Sequence, residues 1–575
     1  MKNYFKYICL ATAFLGITSC SNVLDIEDKG NYSPDNVWND EKLSTAYLMG
    51  LYEKTFSGWP VDCGSTYADE TSGILGKDYV MPNNDKFKNW PYEKIYQINT
   101  MLEGLESGTI SDEKKAPLKG EALALRAYHY FKTLMLHGGI PYITKVQQQG
   151  VDDLYVSRNS SAECFDFIVK DLDEAIRLIP EKNAGDQYGR LDGSALLALK
   201  AKVLLYKASP QFNPQSRYAN AYVEEAFETN KTAYETLLAR GYGLVDNYTD
   251  VFETKRHKEA VFAVIYNNPN KRNGRLEHYC RPLSESKDMT GYDQIIWNMA
   301  EAYPMKDGKK IGSSATYPYD LQTYWKNRDP RFEASQVWNG AVFELSGIKG
   351  RRQYTVFQIA SIDDIFSIQS DKTFKRTGIY PRKGIMESNP RAEVSNNDFD
   401  WLEIRFAEVM FNYAEIACAK GITDIGYDVL KQIRKRAGIE AGADQMYGLK
   451  PGMNAEEMRN ALLDEKRIEF VFEGQRFWDL RRNRMLNVIN GIRKYGIEGF
   501  YKGEITPEVL QKANKFELLP EDFTYKIQEV YTGGEKVMSV PDSYYFFPIK
   551  QSSIEQNGKL SQNKDWGGDF NPALE

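Results

Sequence analysis

Helical periodicity recurs along two long parts of this chain and limits the folds that it can adopt. Apolar residues return every three to four positions, which places them on one face of an α-helix. This spacing predicts helices over residues 121–136, 165–179, 195–208, 222–238, 404–419, 427–436 and 455–480. Helices therefore dominate the structure predicted for residues 40–250 and 400–490, and we expect a mainly α fold.

Two of these helices carry small and bulky residues at the spacing that is typical of tetratricopeptide repeats. A small residue is followed by a bulky one four positions later and by a small one after three more. The pattern stands at Ala201-Leu205-Ala208 and at Ala407-Phe411-Ala414. It indicates closely packed antiparallel helix pairs and not a regular solenoid.

The segment between the two helical parts has a different character. Over residues 251–400 prolines, glycines and aromatics are frequent, helical period fades, and a short β-like run covers residues 261–266. We expect an irregular, loop-rich lobe here. The predicted division is a signal peptide (1–19), a lipidated tether (20–36), an N-terminal helical region (37–250), the lobe (251–400) and a C-terminal helical and loop region (401–575).

The first twenty residues have the pattern of an export signal. Lys2 and Lys6 precede an apolar stretch over residues 7–16, and the run Ile17-Thr18-Ser19-Cys20 follows. The stretch is shorter than the roughly 20 apolar residues that span a bilayer. The run resembles a bacterial lipobox, which predicts cleavage before Cys20 and acylation of its thiol. The alternative is an ordinary secretory peptide in which Cys20 is incidental.

Cysteines outside this signal are few and far apart. They are Cys63, Cys164, Cys280 and Cys418. Pairing is possible in an exported protein, but spacing alone does not reveal it. We expect these thiols to be mostly free and buried.

Motifs for the common catalytic and metal chemistries are missing from the sequence. There is no His-Glu-x-x-His, no closely spaced cysteine pair, no Gly-rich phosphate loop after a strand and no Gly-x-Ser-x-Gly. The net charge of −7, without a basic stripe, argues against nucleic acid. We predict no catalytic residue, no metal and no cofactor.

The most charged predicted helix carries paired carboxylates, which are found in some catalytic sites. Glu469 and Glu473 are four residues apart, a spacing that could serve acid–base catalysis. Arginines stand nearby at positions 467, 476, 481 and 482, and a carboxylate beside arginine stays ionised. A structural network of ion pairs is therefore predicted.

Aromatic residues make up 13% of the chain and supply the candidate binding residues. Rings in loops could stack on the apolar faces of sugars, while polar neighbours bond the hydroxyl groups. Two loop regions cluster such residues. The candidates are Trp59, Tyr67, Asp69, Tyr79, Trp297, Tyr319, Tyr324 and Trp325. The alternative for each ring is a place in the core.

Several ordered motifs resemble one family over nearly the whole mature chain. They are Leu125-Arg126-Ala127-Tyr128, Gly138-Gly139-Ile140-Pro141, Asn327-Arg328-Asp329-Pro330-Arg331-Phe332, Glu465-Lys466-Arg467-Ile468-Glu469-Phe470 and Glu473-Gly474-Gln475-Arg476-Phe477-Trp478-Asp479-Leu480-Arg481-Arg482. With the lipobox, these resemble the SusD/RagB family of Bacteroidetes outer-membrane lipoproteins.

The resemblance implies more than the residues do by themselves. It implies tetratricopeptide-like helix pairs in a right-handed superhelical scaffold, a lipid anchor at the outer membrane and display to the outside. It also implies an oligosaccharide or polysaccharide ligand that is delivered to a SusC-like TonB-dependent transporter.

Three alternatives stay open beside this reading. They are a RagB-like lid for peptides, a glycan-active enzyme, and a structural subunit that never contacts cargo. An exposed arc of aromatic rings would favour glycan, whereas a deep cleft with paired charges would favour peptide.

Overall fold

The computed structural model describes residues 34–59, 67–85, 87, 89–273, 277, 280–286, 294–355, 377–530 and 537–575. The predicted signal peptide, the predicted lipidation site Cys20, and Cys63 lie outside these residues. Within them, no helix has both the length and the apolar character needed to cross a membrane.

Helices form most of the regular structure of the described chain, which confirms the mainly α prediction. They are α1 (Pro34–Val37), α2 (Glu41–Thr55), α3 (Tyr92–Ser107), α4 (Asp112–His137), α5 (Ser161–Leu178), α6 (Gly193–Ala208), α7 (Val223–Ala239), α8 (Asp250–Glu253), α9 (Trp297–Ala300), α10 (Pro330–Ser335), α11 (Phe406–Ala419), α12 (Asp424–Ala437), α13 (Ala455–Glu469), α14 (Arg476–Arg482), α15 (Pro507–Asn514) and α16 (Gln551–Gln556).

The long helices pack in the order in which they follow one another. Each helix from α2 to α7 contacts the next in sequence, and α11 then packs on both α6 and α7. Helices α12 and α13 pack on α11. The C-terminal helices thus extend the stack that the N-terminal helices begin, although residues 240–405 separate the two groups in sequence.

Local sequence explains where the best-defined helices begin and end. Ser160 and Glu163 form a capping box at the start of α5, and Asn454 and Glu457 form another at the start of α13. Gly138 ends α4 with φ +75°, and a Cβ at this position would lie 2.3 Å from the Cβ of Pro572. A glycine is therefore required there both for backbone conformation and for space.

Short antiparallel strand pairs hold the irregular regions. The strands are β1 (Val80–Met81), β2 (Asn84–Asp85), β3 (Ala260–Val264), β4 (Gln336–Val337), β5 (Tyr380–Pro381), β6 (Trp401–Arg405), β7 (Tyr495–Tyr501) and β8 (Phe523–Glu529). The pairs are β1–β2, β3–β6, β4–β5 and β7–β8. In the β3–β6 pair, Ala260 lies opposite Arg405 and Val264 lies opposite Trp401. The segment between the two strands therefore begins and ends at neighbouring points of the helical scaffold.

One local prediction is wrong, and one pair of strands was not predicted. The predicted helix over 455–480 is interrupted between α13 and α14, where Phe472 has φ +63° and Gly474 has φ +69°. Glu473 therefore does not continue the helical face of Glu469. The C-terminal helical and loop region also contains β7 and β8, which were not predicted because glycines at positions 496 and 499 interrupt the strand pattern that pairing of the two strands stabilises.

Three of the four cysteines outside the predicted signal lie among the described residues. Cys164 and Cys418 are buried and form no disulfide, as predicted. Burial raises the pKa of each of these two thiols to about 12, so both stay protonated and unreactive at neutral pH. Cys280 is also buried.

Candidate functional site

A buried cluster of charges joins the lobe to the C-terminal helices. The charge cluster consists of Glu259, Asp329, Arg331, Lys383, Arg405, Arg434, Arg436, Glu465, Glu469 and Glu473. Arg405, which ends β6, lies 2.7 Å from Glu259, 2.8 Å from Glu469 and 2.7 Å from Glu473. The predicted network of ion pairs is confirmed, and it reaches further along the chain than the sequence indicated.

Electrostatics in this cluster exclude acid catalysis by its central carboxylate. Burial by itself would raise the pKa of Glu469, but Arg436 and Arg405 outweigh it and hold the pKa well below its usual range. Arg331 acts in the same direction, at 3.1 Å from the same carboxylate. Glu469 therefore stays ionised at neutral pH and cannot donate a proton to a leaving group.

Trp59 and Tyr324 belong to the core, which corrects the prediction for both, and Trp297, described below, is buried as well. Trp59 is 5% exposed, packs on Trp401 with ring centroids 5.0 Å apart, and donates its indole N–H to the carbonyl of Phe399 at 2.9 Å. Tyr324 is fully buried, and its ring meets Tyr525 edge-on at 5.2 Å. Each ring is covered by residues that are distant in sequence, so neither offers an open face.

Three other candidate rings are half-buried. Tyr67 and Tyr79 lie with their hydroxyl groups 3.0 Å apart and their ring centroids 5.4 Å apart. Trp325 stacks on buried Trp338 at 5.0 Å with an interplanar angle of 13°. These rings keep part of their surface in contact with solvent, but they lie in two separate ring clusters and not in one arc.

A cleft of about 1010 Å³ lies between the lobe and α13. One wall is the face of α13 that carries Glu457, Asn460, Asp464 and Arg467, which recur at three- and four-residue spacing. Asn460 and Asp464 are exposed. This wall thus presents hydrogen-bonding groups one helical turn apart.

The opposite wall comes from the lobe and includes two of the predicted residues. Trp297 and Tyr319 line the cleft together with Asn298, Leu321 and, from β8, Ile527. Trp297 is only 2% exposed and so contributes an edge and not a face, whereas Tyr319 is half-buried. Burial raises the pKa of Tyr319 to about 12, so its phenol stays protonated at neutral pH.

Arg467 connects the two loop regions in which the sequence analysis found clustered aromatic residues. Its Nη2 donates to the carbonyl of Asp69 at 2.8 Å and to the carbonyl of Asn298 at 3.1 Å. Burial by itself would raise the pKa of Asp69, but Arg467 and Arg476 lower it to about 2. Asp69 therefore supports the cleft wall through Arg467 and is buried behind it.

The chemistry of the cleft suits a polar ligand with apolar faces. Its amide and carboxylate groups can bond hydroxyl or amide groups, and Tyr319, Leu321 and Ile527 supply apolar surface. Charges of both signs are present, with Lys310 and Asp464 3.7 Å apart. In the described part of the chain, no three His, Cys, Asp or Glu side chains are grouped as a metal site would need.

Sequence reasoning missed Asn298, Asn460 and Asp464. Asn460 and Asp464 have the sequence pattern of the solvent-facing side of an amphipathic helix. The available signal was the spacing of four residues between Asn460 and Asp464, directly before the motif that begins at Glu465. Only the position of the lobe, however, turns that helix face into a wall of the cleft.

Comparisons with known proteins agree with this architecture. A model described as the SusD family matches residues 258–566, and one described as "Starch-binding associating with outer membrane" matches residues 49–205. The SusD-like protein P38 of Formosa agariphila is 22% identical over 509 residues, which is 83% of this chain and 91% of that protein.

Solved structures share the fold. A SusD-like protein from Bacteroides fragilis superposes with a TM-score of 0.72 at 22% identity, covering 92% of this chain and 98% of that one. A SusD-like carbohydrate binding protein from the same organism gives a TM-score of 0.70 at 21% identity, covering 91% and 100%.

Proposed function

We propose, because this chain belongs to the SusD family, that it binds oligosaccharide or polysaccharide at the outer membrane. The observation that carries the proposal is the match of residues 49–205 to a family described as starch-binding and associated with the outer membrane. The solved relative described as carbohydrate binding shares the fold and supports the same class of ligand.

The cleft between the lobe and α13 is the proposed binding site. Asn460 and Asp464 would bond sugar hydroxyl groups, and Tyr319 and Ile527 would contact the apolar faces of the rings. The side chain of Asn298 accepts from the backbone N–H of Tyr495 at 2.9 Å and is thereby oriented before a ligand arrives. Tyr67, Tyr79 and Trp325 would extend contacts outside the cleft.

Binding without catalysis is the proposed activity. The carboxylates of the charge cluster are buried against arginines and a lysine. A glycosidase needs one carboxyl group that is protonated at working pH. Glu469, held ionised, does not meet that requirement.

A panel of soluble polysaccharides, offered to the chain from Ser21 onward, tests the proposed function. We expect saturable binding to at least one polysaccharide by calorimetry, with no shortening of the polymer after prolonged incubation. The matched control is the same protein unfolded in urea. Absence of binding across storage, cell-wall and host glycans would contradict the proposal, and release of reducing ends would favour the enzyme.

Peptide is the second candidate ligand, and two observations favour it. The cleft has charges of both signs on its walls, including Lys310, Asp464 and Arg467. In the described part of the chain, the predicted rings also lie in the core or in separate clusters, and not in an open arc. A peptide library in the same assay separates the candidates, since peptide binding without glycan binding would select this one.

We further propose lipidation at Cys20, display on the outer surface and delivery of cargo to a SusC-like TonB-dependent transporter. The lipobox-like run and the family match support this placement. We also propose the division into two helical regions and an inserted lobe at residues 251–400, which the pairing of β3 with β6 supports.

Cys20→Ala should release the protein from the membrane. A single acyl chain already supplies weak membrane affinity, and dual or triple acylation supplies stable anchoring. We expect more than about nine-tenths of the variant in the soluble fraction, with wild-type binding to cargo. Fractionation in cells that lack the transporter is the measurement. A variant that stays in the membrane fraction there would contradict the lipid anchor.

A further inference from the structure

One buried stretch of irregular backbone runs between the lobe and the C-terminal helices. Residues 68–73, here called the strap, belong to no helix or strand, and residues 68–72 are buried. Buried backbone groups outside regular structure need other hydrogen-bond partners, because leaving them unpaired costs free energy. The partners of the strap therefore reveal what keeps it in place.

Cationic side chains satisfy most of its carbonyl groups. Lys494 donates from its ammonium group to Thr71 at 2.6 Å, to Ala68 at 3.1 Å and to the carbonyl of Gly73. Arg467 donates to the carbonyl of Asp69 at 2.8 Å. Lys494 is 1% exposed, so its three bonds exhaust the donors of an ammonium group that has almost no contact with water.

Lys494 directly precedes β7, and its two neighbours in sequence contact Asn298 of the cleft wall. Asn298 donates to the carbonyl of Arg493 at 3.1 Å and accepts from the N–H of Tyr495 at 2.9 Å. Its side chain is thus held by the two residues that flank Lys494. The strap is joined to the same wall through the bridge between Thr71 and Ile295 and through Arg467.

We propose that Lys494 is a positioning residue for the cleft, acting through the strap. Its buried ammonium group fixes residues 68–73, which hold Asp69 under Arg467 and so set Arg467 and Asn298 on the two walls. The inference rests on the proposed function for its effect on the ligand, whereas the fixing of the strap can be tested without one.

Burial and the neighbouring carboxylates act on Lys494 in opposite directions. Burial lowers the pKa of Lys494 to about 7, against the attraction of Asp69 and Glu70 on the strap. Asp69 is itself paired with Arg467 of α13 and Arg476 of α14. Burial thus works against the charged form of Lys494, and the acceptors that its Nζ contacts are the three carbonyl groups of the strap.

Lys494→Met keeps the length of the side chain and removes all three donors. Hydrogen exchange of the full chain should show at least about tenfold faster exchange for the strap amides, because hydrogen bonds to buried carbonyls are lost. Exchange in α5 should not change. The matched control is Lys526→Met, which removes a lysine that is 61% exposed from the neighbouring strand β8.

The polysaccharide that wild type binds measures the effect on the cleft. We expect Lys494→Met to weaken its binding about tenfold and Lys526→Met to leave it unchanged. Faster strap exchange with unchanged affinity would overturn the positioning role. If wild type binds no polysaccharide, the proposed function fails, and slow strap exchange in Lys494→Met would still overturn this inference by itself.

Hydrogen exchange of wild type keeps the inference falsifiable if the variant does not fold. Because Lys494 and Arg467 bond the buried carbonyl groups of the strap, the strap amides of wild type, corrected for intrinsic exchange, should exchange as slowly as those of a packed helix such as α5. Strap amides that exchange as fast as those of an exposed loop would overturn the inference.

Discussion

Glu469→Gln should lower the free energy of unfolding by about 3–5 kcal/mol, the range found when one partner of a buried ion pair is removed. The substitution keeps shape and volume but takes the negative charge from between Arg405 and Arg331. The side chains of both arginines are almost fully buried, so neither can turn to water for compensation. The midpoint of urea unfolding measures the loss.

The pH dependence of this loss has a definite sign. The pKa of Glu469 is lowered on folding from its reference value of 4.5, so its contribution is complete above that value and disappears as the pH falls further. The difference between wild type and Glu469→Gln should therefore shrink under acid. Glu224→Gln is the control, because this carboxylate is 67% exposed and its pair with Lys420 should contribute less than about 1 kcal/mol. Equal midpoints for Glu469→Gln and wild type would contradict the role assigned to the charge cluster.

Asn460→Ala combined with Asp464→Ala should weaken binding of the cognate glycan by roughly 50-fold. Each lost hydrogen bond to a ligand is worth about 1 kcal/mol, and one to a charged group more. Both residues are exposed on α13, so the double variant should unfold at the temperature of wild type. Calorimetric titration with the polysaccharide that wild type binds is the measurement.

Glu456→Ala is the matched control for this double variant. Glu456 is exposed on the same helix but does not line the cleft, and its removal should leave affinity unchanged. If the double variant binds as well as wild type, the cleft is not the site. The half-buried rings of Tyr67 and Tyr79 would then be the next surface to test by substitution.

Much of the fold could be predicted because helix formation depends on capping residues and apolar spacing within one short segment of sequence. The boundaries of α5 follow from a capping box at Ser160 and from apolar spacing inside a single segment. The break between α13 and α14 could not be predicted in this way. It depends on positive φ at Phe472, an unfavourable conformation that the surrounding tertiary contacts stabilise.

The candidate site could be predicted only in part. Tyr319 and Trp297 were identified as members of an aromatic loop region, and both line the cleft. Asn460 and Asp464 were not identified, because a polar helix face has the same sequence pattern whether solvent or a lobe lies opposite.

The sequence by itself determined the mainly helical class, the family, the export signal as a prediction, and the ion-pairing role of the motif around Glu469. These follow from spacing, composition and ordered motifs, which are properties of neighbouring residues. Tertiary structure alone decided which aromatic rings are buried and which polar faces form walls. Trp59 shows the reason, since the carbonyl that accepts its N–H belongs to Phe399, 340 residues away in sequence, and no local pattern specifies that contact.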